Sequence, residues 1–186
     1  MTLLKDSRIA SLICAVIVLL SLLIGVQRSA SRRAEKLNEM LYSGVDGSGY
    51  GIRGDLSDRM DDAGILLKIA AKYEGAETES ARLEEALLAL QSSSDASAGV
   101  LFRLDSDLED AFESLDLRLQ ELPLGEKDED YRAQYKADFE SRGITMMREA
   151  AAYNTEVRAY EEKVGSGLLV RLFGWLLPLP EVEAFQ

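Results

Sequence analysis

The chain has 186 residues, 47% of them hydrophobic and 29% charged, with a formal net charge of −12. That balance suits one folded domain with appendages and excludes wholesale disorder. There is no histidine and one cysteine, Cys14, which removes the commonest general base near neutral pH, every Ser-His or Cys-His arrangement and any intramolecular disulfide.

After a short flank, residues 1–8, residues 9–26 read IASLICAVIVLLSLLIGV, 18 positions without a charge. At about 1.5 Å per residue this helix just crosses a hydrocarbon layer about 30 Å thick, so residues 9–28 are expected to anchor the chain in a lipid bilayer by a single pass. A cleaved leader fits less well, because the run exceeds the usual leader length and its exit, VQRSASRR, sets an arginine before the small residues. Lys5 and Arg8 precede the run, whereas Arg28, Arg32, Arg33 and Lys36 follow it. Positive residues favour the cytoplasmic side, and the domain that follows is expected there. Residues 1–36 carry six basic and two acidic side chains, so residues 37–186 hold a net −16. Such a surface repels phosphate backbones and anionic lipid headgroups alike and argues against nucleic acid as a partner.

Residues 30–42 are helix formers that continue out of the anchor. SGVDGSGYGIRG, residues 43–54, then places five glycines in twelve positions and breaks regular structure. Asp55 is a natural N-cap for the next helix. Leu56, Met60, Ala63, Leu67 and Ala70, with Leu66, Ile69 and Tyr73, recur at helical spacing, and Leu83, Ala86, Leu87 and Leu90 resume the stripe. The pattern predicts one helix to about Gln91, with either of Gly64 and Gly75 a close-packing point and the other a kink.

QSSSDASAG is a turn by composition. Leu101, Leu104, Leu108, Phe112, Leu115, Leu119 and Leu122 then step by three or four, with Asp105, Asp107, Glu109, Asp110 and Glu113 mostly on the opposite side, until Pro123 and Gly125 end the helix. A last long helix carries Tyr131, Tyr135, Phe139, Met146, Ala150, Tyr153, Val157, Tyr160 and Val164, a stripe drifting as expected for a period near 3.5. Its tyrosines suit wide core layers with hydroxyls at the rim better than a binding row. The fold class is therefore all-α: a single N-terminal transmembrane helix, then an antiparallel bundle of three long helices over residues 29–164, with residues 30–42 as a short partial fourth.

Residues 165–186 form an apolar tail. A second span is excluded by length, since residues 168–179 number only twelve and include Arg171, Gly174 and Pro178. Folded back, Leu168, Leu169, Leu172, Phe173, Trp175, Leu176 and Leu177 are expected to cap the bundle; the other reading is a helix lying on the bilayer with Trp175 at headgroup depth.

GSGYGIRG lacks the spacing and the closing Lys-Ser/Thr pair of a phosphate loop, and neither DSDLED nor EKDEDYR forms a calcium loop with its central glycine and terminal glutamate. No catalytic, cofactor-binding or metal-ligating residue stands out. An enzyme built from carboxylates and basic groups needs polar side chains converging in a pocket, with Arg103, Asp116, Asp138 and Arg142 the candidates.

Residues 54–75, GDLSDRMDDAGILLKIAAKYEG, resemble the long-helix motif of the LemA family. Asp55 and Leu56 match its opening, Leu66 or Leu67 its apolar centre, and Lys72-Tyr73 its close. The family's proline-asparagine pair is missing around residues 62–64, and the basic pair before the aspartate is reduced to Arg53. Tyr153-Asn154, Val157 and Tyr160 are similar to that family's helix end, while Phe173-Gly174-Trp175, Pro178, Pro180 and Phe185 occupy the places of its tail. The resemblance spans essentially the whole chain. It implies a bacterial cell (inner) membrane protein, single-pass, with an antiparallel helical bundle and without a known cofactor or catalytic residue. The expected function is that of a membrane-tethered helical scaffold or protein-interaction module, binding a protein partner or its own copies; the alternative is a membrane-surface enzyme or lipid-surface sensor.

Overall fold

The computed structural model describes residues 7–45, 47, 49–93 and 95–186, with the side chains at positions 7 and 8 left aside. Lys5 and the Arg8 side chain, on which the charge asymmetry across the anchor depends, lie outside the described residues. The fold is all-helical: α1 (Ser7–Ser43), α2 (Ile52–Ala70), α3 (Glu77–Gln91), α4 (Ala98–Gln120), α5 (Glu126–Gly165) and α6 (Leu168–Phe173), followed by a 3-10 turn (Gly174–Leu176).

The apolar run and residues 30–42 form one unbroken helix, α1. Within its uncharged run Leu23 alone is buried and most side chains are exposed, and the run is long and apolar enough to cross a membrane. Ala30, Ala34, Leu37 and Leu41, spaced at three and four, are buried. The last turns of α1 thus belong to the bundle, and the anchor enters it without a flexible joint.

The helix expected from Asp55 to Gln91 is two helices. Gly75 takes a φ of +97°, a conformation open to glycine at little cost, and the reversal it permits lays α3 back along α2. The Arg118 Nε donates to the Gly75 carbonyl at 2.6 Å, and Gly75 N–H meets the Glu77 carboxylate at 3.0 Å. Asp55 is not the N-cap. Helix α2 begins at Ile52, capped by Gly51, and places Asp55 in its first turn. The start is set by packing: a Cβ on Gly51 would lie 2.6 Å from Gly44 N and 2.8 Å from the Met40 carbonyl oxygen. Only glycine lets the chain pass this close beneath the end of α1.

Helix α5, at 40 residues about 60 Å long, is the stave on which the others assemble. Its first half runs antiparallel to α2 and its second half antiparallel to α1, so α1 and α2 line up end to end along it. Helix α3 pairs with α4, and α4 also touches α2. The buried positions explain this regularity. In α5, Arg132, Phe139, Met146, Tyr153 and Tyr160 recur every seven residues; so do Ile52, Arg59 and Leu66 in α2 and Ala98, Asp105, Phe112 and Leu119 in α4. A seven-residue period keeps one stripe of a helix facing its neighbours over many turns. The leucines expected to form the α4 stripe do so, with Leu104 and Leu122 at its edge. Tyr131 leaves the α5 stripe and is exposed; Arg132 occupies the buried slot instead.

The tail divides into two parts. Residues 178–186 return along α5 in an extended path, where Leu179 and Val182 pack against the core and Phe185 is buried within it. Of the seven side chains expected to cover the bundle, Leu168, Leu172, Trp175 and Leu176 are exposed, Leu169, Phe173 and Leu177 are half-buried, and nothing in α6 or the 3-10 turn is buried.

Candidate functional site

Helices α4 and α5 meet through Phe112 on Phe139 and through Asp116 on Arg132 and Lys136. Between them runs a cleft of about 710 Å³, to which α2 contributes Arg59. Phe112 and Phe139 stack at its base with centroids 3.9 Å apart and planes within 3° of parallel. The Arg59 guanidinium lies over the Phe139 ring at 4.0 Å, so two aromatic rings and a cation form one column. Gly143 borders it, and a Cβ there would meet the guanidinium carbon in ordinary van der Waals contact at 3.5 Å.

Arg59 is 1% exposed. It is paired with Asp105, itself buried, and its Nη2 donates to Glu109 at 3.1 Å. Burial pushes the Asp105 carboxyl up to about 6, with Arg59 pulling the other way and Glu109 adding to the rise. Near neutral pH the pair is therefore charged. Asp105 had been expected on the solvent face with its acidic neighbours; Asp107, Glu109 and Asp110 are there, whereas Asp105 turns inward.

A second charged cluster closes the far end. Asp116 is fully buried and accepts from Arg132, from Lys136 Nζ at 2.9 Å and from Gln120 Nε2 at 2.7 Å. The hydrogen bonds to Asp116 raise the Lys136 ammonium above its ordinary range. At the near end, the Phe185 ring meets Phe102, one of the cleft residues, edge-on at 5.4 Å. The returning tail thus backs Phe102 at this end of the cleft.

The rim carries Glu109, Glu113 and Glu140, with Ile144 65% and Met147 49% exposed beside them. Five acidic and two basic side chains line the cleft in all.

Of the four residues singled out for carboxylate chemistry, only Asp116 reaches the cleft. Arg103 is exposed on α4. Arg142 faces α2, where it is paired with Asp58 and donates from Nε to Asp62 at 2.8 Å, and Asp138 is no part of the cleft lining. The convergence an enzyme of this kind requires is not met by these residues. Among the described residues, no group of three or more Asp, Glu, Cys or His side chains is arranged to hold a metal ion.

Arg59, Asp105 and Arg132 were missed in the sequence, yet a signal for each was present. Each fills a slot of its helix's seven-residue repeat that neighbours two turns away fill with apolar groups. A period followed through hydrophobic residues alone steps around such positions.

Comparisons with protein-family models, with curated proteins and with solved structures find no match for this chain. The bundle itself offers helices bound by internal ion pairs and an open, apolar-floored cleft.

Proposed function

We propose that the protein is a membrane-tethered interaction module, LemA-like in organisation, whose α4–α5 cleft receives a basic amphipathic helix from a partner protein. The observation that carries this reading is the cleft's chemistry. Phe112, Phe139 and Met146 offer an apolar floor, exposed Ile144 and Met147 extend it to the surface, and Glu109, Glu113 and Glu140 edge it with negative charge. A helix burying one apolar face in a groove and setting lysines or arginines on the rim satisfies both features. Methionine at the edge suits this role because its unbranched side chain adapts to the shape it meets.

A second copy of this chain complements the cleft less well, because its own bundle is acidic and like charges across an interface are repelled. The anchor holds the module at a bacterial cell membrane, and the basic residues Arg28, Arg32, Arg33 and Lys36 favour a cytoplasmic bundle.

Methionine-methyl NMR on the full chain in detergent micelles tests the reading, since two of its five methionines line the cleft. A synthetic leucine-lysine amphipathic peptide should shift Met146 and Met147, and a leucine-glutamate peptide of the same pattern should not. Equal response to both peptides, response to neither, or self-association through Met147 that excludes the peptide overturns it.

A further inference from the structure

The exposed part of the tail stands out because the segments on either side of it are firmly held. On its upstream side it continues from the end of α5. On its downstream side Tyr160 donates to the Pro180 carbonyl at 2.9 Å, Tyr153 to the Glu183 carbonyl at 3.1 Å, and Asn154 pairs twice with the Phe185 backbone. Between these fixed points Leu168 (69% exposed), Leu172 (57%), Trp175 (82%) and Leu176 (52%) project outward. Leu168 and Leu172 stand one turn apart on α6 and Trp175 and Leu176 follow in the 3-10 turn, and together they make the exposed apolar face of this segment.

Its place in the fold identifies what covers that face. Gly167, Leu168, Leu169 and Val170 pack beside Val26, Ser29, Ala30 and Arg33 of α1. Val26 is the last residue of the uncharged run, so the apolar face sits at the level where the anchor leaves the hydrocarbon layer. Arg28, Arg32, Arg33 and Lys36 on α1, Lys163 on α5 and Arg171 on α6 cluster at this level, opposed locally by Glu35, Glu161 and Glu162. The remainder of the soluble part is strongly acidic. An apolar face with an interfacial tryptophan, bordered by basic residues and contiguous with a membrane span, has the make-up of a segment lying in the headgroup region of an anionic bilayer.

We propose that residues 168–177 form a second membrane contact, a foot inserted into the anionic leaflet that α1 leaves, with Leu168, Leu172, Trp175 and Leu176 at the headgroup–acyl boundary and Arg171 on lipid phosphate. With α1 and the foot both engaged, the bundle is held at two points and its tilt against the membrane is fixed. Tyr153, Asn154 and Tyr160 then serve as the brace that keeps the foot in place.

Trp175 is the chain's only tryptophan and Cys14 its only cysteine, so the wild-type protein reports on both contacts. The full chain is reconstituted into vesicles of phosphatidylglycerol and phosphatidylethanolamine. Resistance of Cys14 to a water-soluble maleimide establishes that α1 is inserted, because that thiol is exposed in the protein alone. The expected result is then a blue-shifted Trp175 emission, quenched by lipids brominated near the headgroup and shielded from iodide. Leu172→Glu should abolish the lipid quenching and restore iodide access with an unchanged circular dichroism spectrum, since α6 buries no side chain. Replacing phosphatidylglycerol by phosphatidylcholine, or Arg171 by Glu, should weaken the quenching. Iodide access with no lipid quenching overturns the proposal. So does shielding from both quenchers, which would place a second protein copy on the foot, and equal quenching in both lipid mixtures removes the anionic leaflet as its target.

Discussion

The two halves of α5 are held by different chemistry. Its first half is bound by charge: Arg132 and Lys136 to Asp116, Arg142 to Asp58 and Asp62, with Asp128 accepting from Lys72 at 2.6 Å and from the Tyr73 hydroxyl at 2.8 Å. Its second half is bound by neutral groups, as Tyr153, Asn154 and Tyr160 donate to backbone carbonyls of the tail. The difference follows from what each half must hold. Helices α2 and α4 satisfy their own backbones and present side chains, so ion pairs at fixed heptad positions set their register. The extended return of residues 178–186 carries backbone N–H and C=O groups with no helix to satisfy them, and the Asn154 amide, donor and acceptor at once, supplies both partners to Phe185.

The largest effect on this contrast should come from the buried charge. Arg59→Ala strips Asp105 of its cation inside the core, and breaking such a pair by removing one partner typically costs about 3–5 kcal/mol. Thermal unfolding of the full chain in detergent micelles, followed by circular dichroism, should show the loss. The double change Arg59→Met with Asp105→Leu should restore most of it, because two well-packed apolar groups need no compensation. If the double variant is as stable as wild type but populates several species by NMR, the pair's contribution lies in register rather than in stability.

Asn154→Ala should cost less, about 2 kcal/mol, from two lost hydrogen bonds and a buried peptide left unsatisfied. Its effect should also be local. Hydrogen exchange should accelerate in residues 178–186 and leave α2 to α4 protected, whereas Arg59→Ala exposes the whole bundle. Asn154→Asp sharpens the test: its carboxylate still accepts from Phe185 N–H but opposes the Phe185 carbonyl, so only part of the tail's protection should survive.

Legibility followed the same division. The anchor, the leucines of α4 and the α5 stripe were readable because burial of apolar groups dominates their placement and leaves a helical period. The break at Gly75 was marked by its glycine, but whether such a residue bends a helix or ends it depends on what receives the reversal, here Arg118, 43 residues further along the chain. Tyr153 was on the α5 stripe, whereas Asn154 stood out only through a family resemblance, and the hydrogen bonds of both to the tail supply a physical reason for the pair. The exposed face of residues 168–177 went the other way: its hydrophobicity was plain, yet in water burial against the bundle is the default destination. Its position beside Val26 is what assigns it to the membrane, and position is tertiary information.

The smallest effect tests whether every buried charge in the first half behaves like Arg59. Asp55 is 3% exposed, and its Oδ2 is buried without a hydrogen-bond partner among the described residues. Burial, reinforced by Asp58 and Glu149, pushes its carboxyl up to about 6. An unfolded aspartate titrates near 4, so between these values the folded chain binds more protons than the unfolded one, and stability falls as pH rises through that window. Asp55→Asn removes the penalty. It should stabilise the bundle by about 1 kcal/mol at about pH 7 and have little effect at about pH 4, where the wild-type carboxyl is already protonated in the fold. Unfolding curves of the two proteins should therefore converge on acidification. Destabilisation by Asp55→Asn at neutral pH would instead show that the Asp55 charge is compensated, by the positive end of α2, and that the ionic half of α5 faces no uncompensated carboxylate at its membrane-proximal limit.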